Sequence, residues 1–193
     1  MIFIPIIILI VIALWMMSTY NFFVTAKARL KAAVQEIGNQ LKRQADLIPN
    51  LEASVKGYMS HEKEVFQMLT DARKAISSAA SSGNLQKMAD AGTQLNQVLP
   101  KLQVVVESNP ELKSNTVVEN LMNELRDTAD KVMYSRRLLI DLTADYNVRL
   151  ATFPTNLIAG MFHFTEQPGL LTPDSGEFMK VTENETKTPK VSL

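Results

Sequence analysis

Residues 46–51 read Asp46-Leu47-Ile48-Pro49-Asn50-Leu51, and the organisation of the chain turns on how this stretch is taken. Upstream of it, apolar residues fall at Leu30, Val34, Ile37 and Leu41. Downstream they resume at Leu51, Val55, Tyr58, Val65, Leu69, Ala72 and Ile76. Steps of three and four mark helices that bury one stripe. Proline lacks an amide hydrogen, and its ring drives the preceding residue, Ile48, away from helical dihedrals. A turn is therefore expected here, with a first helix ending at Leu47 and a second running from Asn50, as its N-cap, to about Ala80. Two long amphipathic runs with so short a break fold back as an antiparallel pair.

Working outward, the turn cluster Ser81-Ser82-Gly83-Asn84 ends the second run. A third run carries Leu85, Met88, Gly92, Leu95, Leu99, Leu102 and Val106, with Pro100 expected to kink or divide it. Ser108-Asn109-Pro110-Glu111 makes the next break. A fourth run, Val118, Leu121, Leu125, Thr128, Val132, Ser135, Leu139, Leu142 and Tyr146, continues to Phe153, where Pro154 stops it. The small Thr128 and Ser135 would let neighbouring helices come close. The expected fold is all-α: an N-terminal transmembrane helix continuing into an antiparallel up-down-up-down four-helix bundle over residues 21–153. A coiled-coil rod is the competing fold, disfavoured by the recurrent proline-marked breaks.

Ile2 to Met17 is apolar throughout, with Trp15 and Tyr20 at its downstream edge. About 20 residues are needed to cross the hydrocarbon core. The run reaches that length with Ser18, Thr19 and Tyr20, which makes residues 1–20 a membrane anchor carried by Ile2, Ile6, Leu9, Leu14, Trp15 and Tyr20. A cleaved signal peptide would want a basic residue before the run and a small-x-small site after it, and neither is present. Lys27, Arg29, Lys31, Lys42 and Arg43 follow the run. The positive-inside tendency then leaves a short N-terminus outside and the bundle in the cytoplasm, at the inner (plasma) membrane. The opposite topology stays open.

After the fourth run comes Asn156-Leu157-Ile158-Ala159-Gly160-Met161-Phe162-His163-Phe164, within a segment of residues 154–166 that the up-down path returns to the membrane end. Leu157, Ile158, Met161, Phe162 and Phe164 are expected either to sit in the membrane interface or against a neighbouring subunit, or to cap the open end of the core. Residues 167–193 turn to Pro, Thr, Glu, Lys and Gly and read as a flexible or partner-docked tail.

At 46% hydrophobic content, 193 residues can bury a real core. Balanced acidic and basic residues give no case for nucleic acid. The absence of cysteine removes disulfides, thiolate nucleophiles and Cys-based metal sites. His61-Glu62 begins a zinc-protease-like His-Glu-x-x-His, but Val65 stands where the second His belongs. Neither Glu62 nor Glu124 is followed three residues later by His, so no bundle-type carboxylate metal site is formed. No phosphate loop or Gly-x-Ser-x-Gly elbow occurs. No enzyme, cofactor or metal is therefore expected. Glu62, read as a polar intruder in the second stripe, is expected to pair with Arg136, Arg137, Lys42 or Arg43 as a structural ion pair rather than to serve as a ligand.

These landmarks resemble the LemA family of bacterial membrane-anchored proteins. The resemblance rests on Tyr20-Asn21, on the stretch Gln40-Leu41-Lys42-Arg43-Gln44-Ala45 leading into Asp46-Leu47-Ile48-Pro49-Asn50-Leu51, and on Val55-Lys56-Gly57-Tyr58. It continues in His61-Glu62, Ala72-Arg73, Asn109-Pro110-Glu111-Leu112-Lys113, Tyr146-Asn147 and Phe153-Pro154. It implies an N-terminal transmembrane helix, a helical-bundle body and no established enzymatic activity. The chain departs from the family pattern at Leu139-Ile140, where Tyr-Asn is usual, and at Ala129, where Glu is usual. Two functional readings follow. One is a scaffold or adaptor in the lipid bilayer that associates with itself and with other membrane proteins. The alternative is a sensory, ligand-binding helical bundle of the bacterial envelope.

Overall fold

A computed structural model of the chain describes residues 3–58 and 62–170, and no strand occurs among them. The first helix, α1, spans Phe3–Val55 and passes straight through Pro49. The turn expected at residues 46–51 is therefore not there; the chain reverses after Val55, through Lys56, Gly57 and Tyr58. The physical reason is the register of the stripe. Ile37, Leu41, Gln44, Ile48, Leu51 and Val55 step by four and three across the proline, and all six are fully buried. Proline inside a helix costs about 3 kcal/mol. Burying Ile48, Leu51 and Val55 contributes roughly 1.5–3 kcal/mol each, so packing wins. Asn50 is accordingly no N-cap: it lies inside α1, where its carbonyl accepts the Ser54 hydroxyl at 2.8 Å.

The second helix, α2, spans Lys63–Ser82, with Glu62 as its N-cap residue. Tyr58 and Glu62, read from sequence as part of a buried stripe, are instead exposed outside the helix, and the stripe of α2 is Leu69, Ala72, Ile76 and Ala79. Gly83, at φ 63°, ends α2 in the left-handed conformation that glycine adopts at no steric cost. Asn84 then caps α3 (Leu85–Ser108), its side chain accepting the Lys87 amide at 3.0 Å. Pro100 neither ends nor divides α3, which runs on as one element. Asn109 and Asn115 cap α4 (Pro110–Lys113) and α5 (Thr116–Ala151) in the same way, with Pro110 in the first turn of α4, where no amide hydrogen is missed. Pro154 follows α5, and α6 spans Thr155–Met161.

α1 packs most extensively on α5, α2 lies on α1 and α3, and α3 lies on α5. Arg43 pairs with Glu124, and Phe23 with Tyr146, which sets α1 and α5 antiparallel. At Gly92 α3 comes close to its neighbours: a Cβ there would stand 3.0 Å from Val132 of α5. The helices differ in reach. Met88, near the start of α3, lies beside Gly38 of α1. Phe23 is fifteen residues further down α1, about 22 Å away at the helical rise. Below the α2–α3 turn, α1 and α5 therefore continue as a two-helix stalk.

Gln44 sits in the middle of the α1 stripe, fully buried, and neither atom of its side-chain amide has a hydrogen-bond partner among the described residues. An unpaired buried polar group costs about 1–3 kcal/mol. Gln44→Leu, close in volume and apolar, is expected to stabilise the protein by about 1 kcal/mol or more, read as a higher midpoint of thermal or denaturant unfolding in detergent. A lower midpoint would show that the amide is satisfied in solution.

Candidate functional site

At the lower end of the stalk, aromatic side chains from three parts of the chain meet. Tyr20, Phe22 and Phe23 come from α1, Tyr146 from α5, and Phe162 and Phe164 from the segment after α6. The fully buried Phe23 ring packs edge-on against Tyr146 (5.4 Å between centroids) and stacks on Phe164 at 4.9 Å. Tyr20 lies 4.7 Å from Phe162 and 5.7 Å from Phe164. Two cations sit over this cluster, the Arg149 guanidinium 3.9 Å from the Phe22 centroid and the Lys27 ammonium 5.5 Å from Phe164. Such pairs favour a cation whose alkyl stem lies along apolar surface while its head stays polar.

The chain reverses at His163, whose φ of 56° is unusual for a residue with a side chain. The Phe164 amide donates to Ala159 at 2.9 Å, closing the end of α6 and returning Phe164 onto Phe23. Beyond it, residues 165–170 run back along α5 as a strap. The Tyr146 hydroxyl donates to the Thr165 carbonyl at 3.1 Å, and burial pushes its phenol above the ordinary value. Asn147 makes two bonds to Gln167: its amide nitrogen donates to the Gln167 carbonyl (2.9 Å) and its oxygen accepts the Gln167 amide (3.0 Å). The side chain thus imitates a peptide group and seats an extended segment against a helix. Tyr146-Asn147, a motif of the family resemblance, holds the chain's own strap.

The apolar segment divides between its two expected roles. Ile158 is buried and Phe164 half-buried, in the capping role, whereas Leu157, Met161 and Phe162 are exposed, as is Phe153 before them. Of the anchor residues, Ile6, Leu9, Leu14, Trp15 and Tyr20 are all exposed on α1, and Ile2 lies outside the described residues. At the opposite end, Tyr58, Glu62, Asn109, Pro110 and Glu111 line a cavity of about 590 Å³. Lys56 and Gly57 lie in the adjoining turn, while Asp46 and Asn50 are exposed on α1 and Leu47 and Pro49 are half-buried there. The ion pair expected of Glu62 is not formed among the described residues. Arg43 engages Glu124, and Arg136 donates to the Thr93 hydroxyl, because Glu62 sits at the distal end rather than inside a stripe. His61 and residues 171–193 lie outside the described residues. Among those described, no group of three His, Asp or Glu is placed to hold a metal ion. Phe22, Phe23 and Arg149 were not singled out from sequence, although the run Tyr20-Asn21-Phe22-Phe23 carried the signal.

If the Asn147 side chain seats the strap, Asn147→Ala loses both bonds, worth about 0.5–1.5 kcal/mol each. Amide hydrogens of residues 165–170 should then exchange faster while those of α1 and α5 are unchanged. Equal protection in the variant would remove that role.

A profile of the LemA family matches residues 33–192. The magnetosome protein MamQ of Magnetospirillum gryphiswaldense is 23% identical over 189 aligned residues, a match covering 82% of this chain and 69% of MamQ. Among the described residues one helix, α1, contains a stretch long and apolar enough to cross a membrane, and only 6% of that stretch is buried, which is consistent with a membrane-anchored protein. With the profile spanning most of its length, the chain belongs to the LemA family.

Proposed function

We propose that this protein is a non-enzymatic, single-pass membrane scaffold whose up-down-up-down four-helix body associates with itself and serves as an adaptor for other bacterial membrane proteins. One observation carries the reading: α1 is both the exposed apolar stem and a wall of the packed body, with no joint between them. What the body meets is thereby fixed relative to the bilayer. The stem crosses the inner membrane with a short N-terminus outside, and the body lies in the cytoplasm, on the side of Lys27, Arg29 and Lys31.

Self-association is supported by a groove of about 660 Å³ between α1 and α5. Ala32 and Ala33 line it on α1 and Leu138 and Tyr134 on α5, with Tyr134 69% exposed. Its lining includes Arg29, Lys131 and Glu36, so a second copy approaching about a two-fold axis finds both signs of charge. The distal cavity at Tyr58, Glu62 and Glu111 is the surface offered to other proteins.

Light scattering of the full-length protein in detergent is expected to give a uniform assembly larger than one chain. Tyr134→Lys combined with Leu138→Asp should lower that mass with helicity retained. A monomer whose unfolding midpoint rises with a small ligand would instead establish the sensory reading. The chain has no cysteine, so Ser81→Cys on the exposed last turn of α2 gives a single reporter of topology. It is expected to resist a membrane-impermeant maleimide in intact spheroplasts and to react after lysis; labelling before lysis would reverse the orientation.

A further inference from the structure

Apolar surface at the base of the stalk is not confined to the stem. α6 lies against α1, and Phe162 touches Tyr20. Ile158 and Ala159 face inward, at 2% exposure each, while Phe153 (75%), Leu157 (58%), Met161 (60%) and Phe162 (47%) face out. Nothing among the described residues covers this outer face.

Length and charge locate it. The uninterrupted run Ile2–Met17 has sixteen residues, about 24 Å of helix at 1.5 Å per residue. The hydrocarbon core is about 30 Å thick. To fill it, α1 must stay in lipid until about Asn21 or Phe22, the level at which Tyr20 meets Phe162. The charges agree. No Asp, Glu, Lys or Arg precedes Lys27, and none occurs between Arg149 and Glu166. Lys27 and Arg149 both lie over rings of the aromatic cluster and mark its polar border. All formal side-chain charge at this end thus stands on one side of a boundary that has Tyr20 and α6 on the other.

We infer that α6 and the flanking Phe153 and Phe162 form a lipid-inserted foot. It lies in the interface of the leaflet that the stem leaves, with Leu157 and Met161 directed into the acyl region and Lys27 and Arg149 at the headgroups. The occupant of this apolar face is the bilayer itself, because the face continues the membrane-spanning surface of α1 at the depth where that surface ends. Stem and foot together give the stalk two points of insertion, which restrict its tilt. The inference rests on the stem spanning the membrane.

Trp15 is the only tryptophan, so Trp15→Phe supplies a silent background for single-tryptophan reporters in the full-length chain. Met161→Trp, Leu157→Trp and, as a reference in the stem, Leu9→Trp are each reconstituted in phosphatidylcholine–phosphatidylglycerol vesicles. Bromine is placed either high on the acyl chain or near its end, and circular dichroism confirms retained helicity. Met161→Trp and Leu157→Trp are expected to emit in the blue and to lose most intensity to the high bromine, while Leu9→Trp loses more to the deep one. Foot reporters unquenched by either lipid, with Leu9→Trp quenched, would overturn the foot and leave the anchor standing. Blue emission without quenching would place a second copy on the face and likewise overturn it. An unquenched Leu9→Trp would remove the anchor, and the foot with it.

Discussion

The unbroken backbone of α1 is the constraint on which the rest depends. An interrupted stem would leave the packed helices free to swivel on a linker. A continuous helix from Phe3 to Val55 fixes their axis, since bending an α-helix sharply requires breaking its hydrogen-bond ladder at an identifiable site. Pro49 would be such a site, yet the buried residues on either side of it keep one phase. The energy that holds the proline in the helix comes from the body, through Ile48, Leu51 and Val55, and is available only once that body is packed. Stem rigidity and body stability are in this sense one property.

Unequal helix lengths create the lower architecture. α2 and α3 end well above Phe23 and Tyr146, and a bare pair of antiparallel helices exposes apolar flanks on both sides. The strap covers one flank. A Cβ at Gly169 would stand 3.7 Å from Thr143, and Leu170 lines a site beside Ile140 and Ala144. The open groove at Tyr134 and Leu138 is the other flank. The strap is held by side chain-to-backbone bonds from Tyr146 and Asn147, with half-buried Leu170 packed against the core at its far end.

Much of this was legible in the sequence. The stripes in α3 and α5, the break that ends α2 at Gly83 and the apolar return after Pro154 all follow from spacing and turn chemistry. At Pro49 a local rule, proline as helix breaker, competes with a non-local one, the phase of the stripe, and the stripe prevails. The steps from Leu41 through Gln44 and Ile48 to Leu51 spell a continuous helix only when a fully buried glutamine counts as a core residue. Tyr58 and Glu62 depend on the same choice, since their buried positions exist only in a helix begun at Asn50. The strap had no such signal: it is an extended segment whose partners are two side chains on a helix already explained by its own periodicity.

Of the residues that carry the family resemblance, residues 40–51 and Ala72-Arg73 lie along α1 and α2, and the others stand at the two ends of the packed helices, some 50 Å apart along α1. Many of them answer to the fold alone. Pro110 starts a helix, Asn109 caps it, and Tyr146 and Asn147 hold the strap. Those of the distal turn do not. Lys56, Gly57, Tyr58 and Glu62 are exposed, and a Cβ at Gly57 would meet nothing. Tyr58 leaves 41% of its surface open above the cavity it shares with Glu62 and Glu111. An exposed aromatic ring beside two carboxylates adds little to the stability of the chain that bears it, whereas a partner burying that ring gains the apolar contact. The membrane end is thus shaped by the chain's contact with itself, and the distal end presents what its own packing leaves unused.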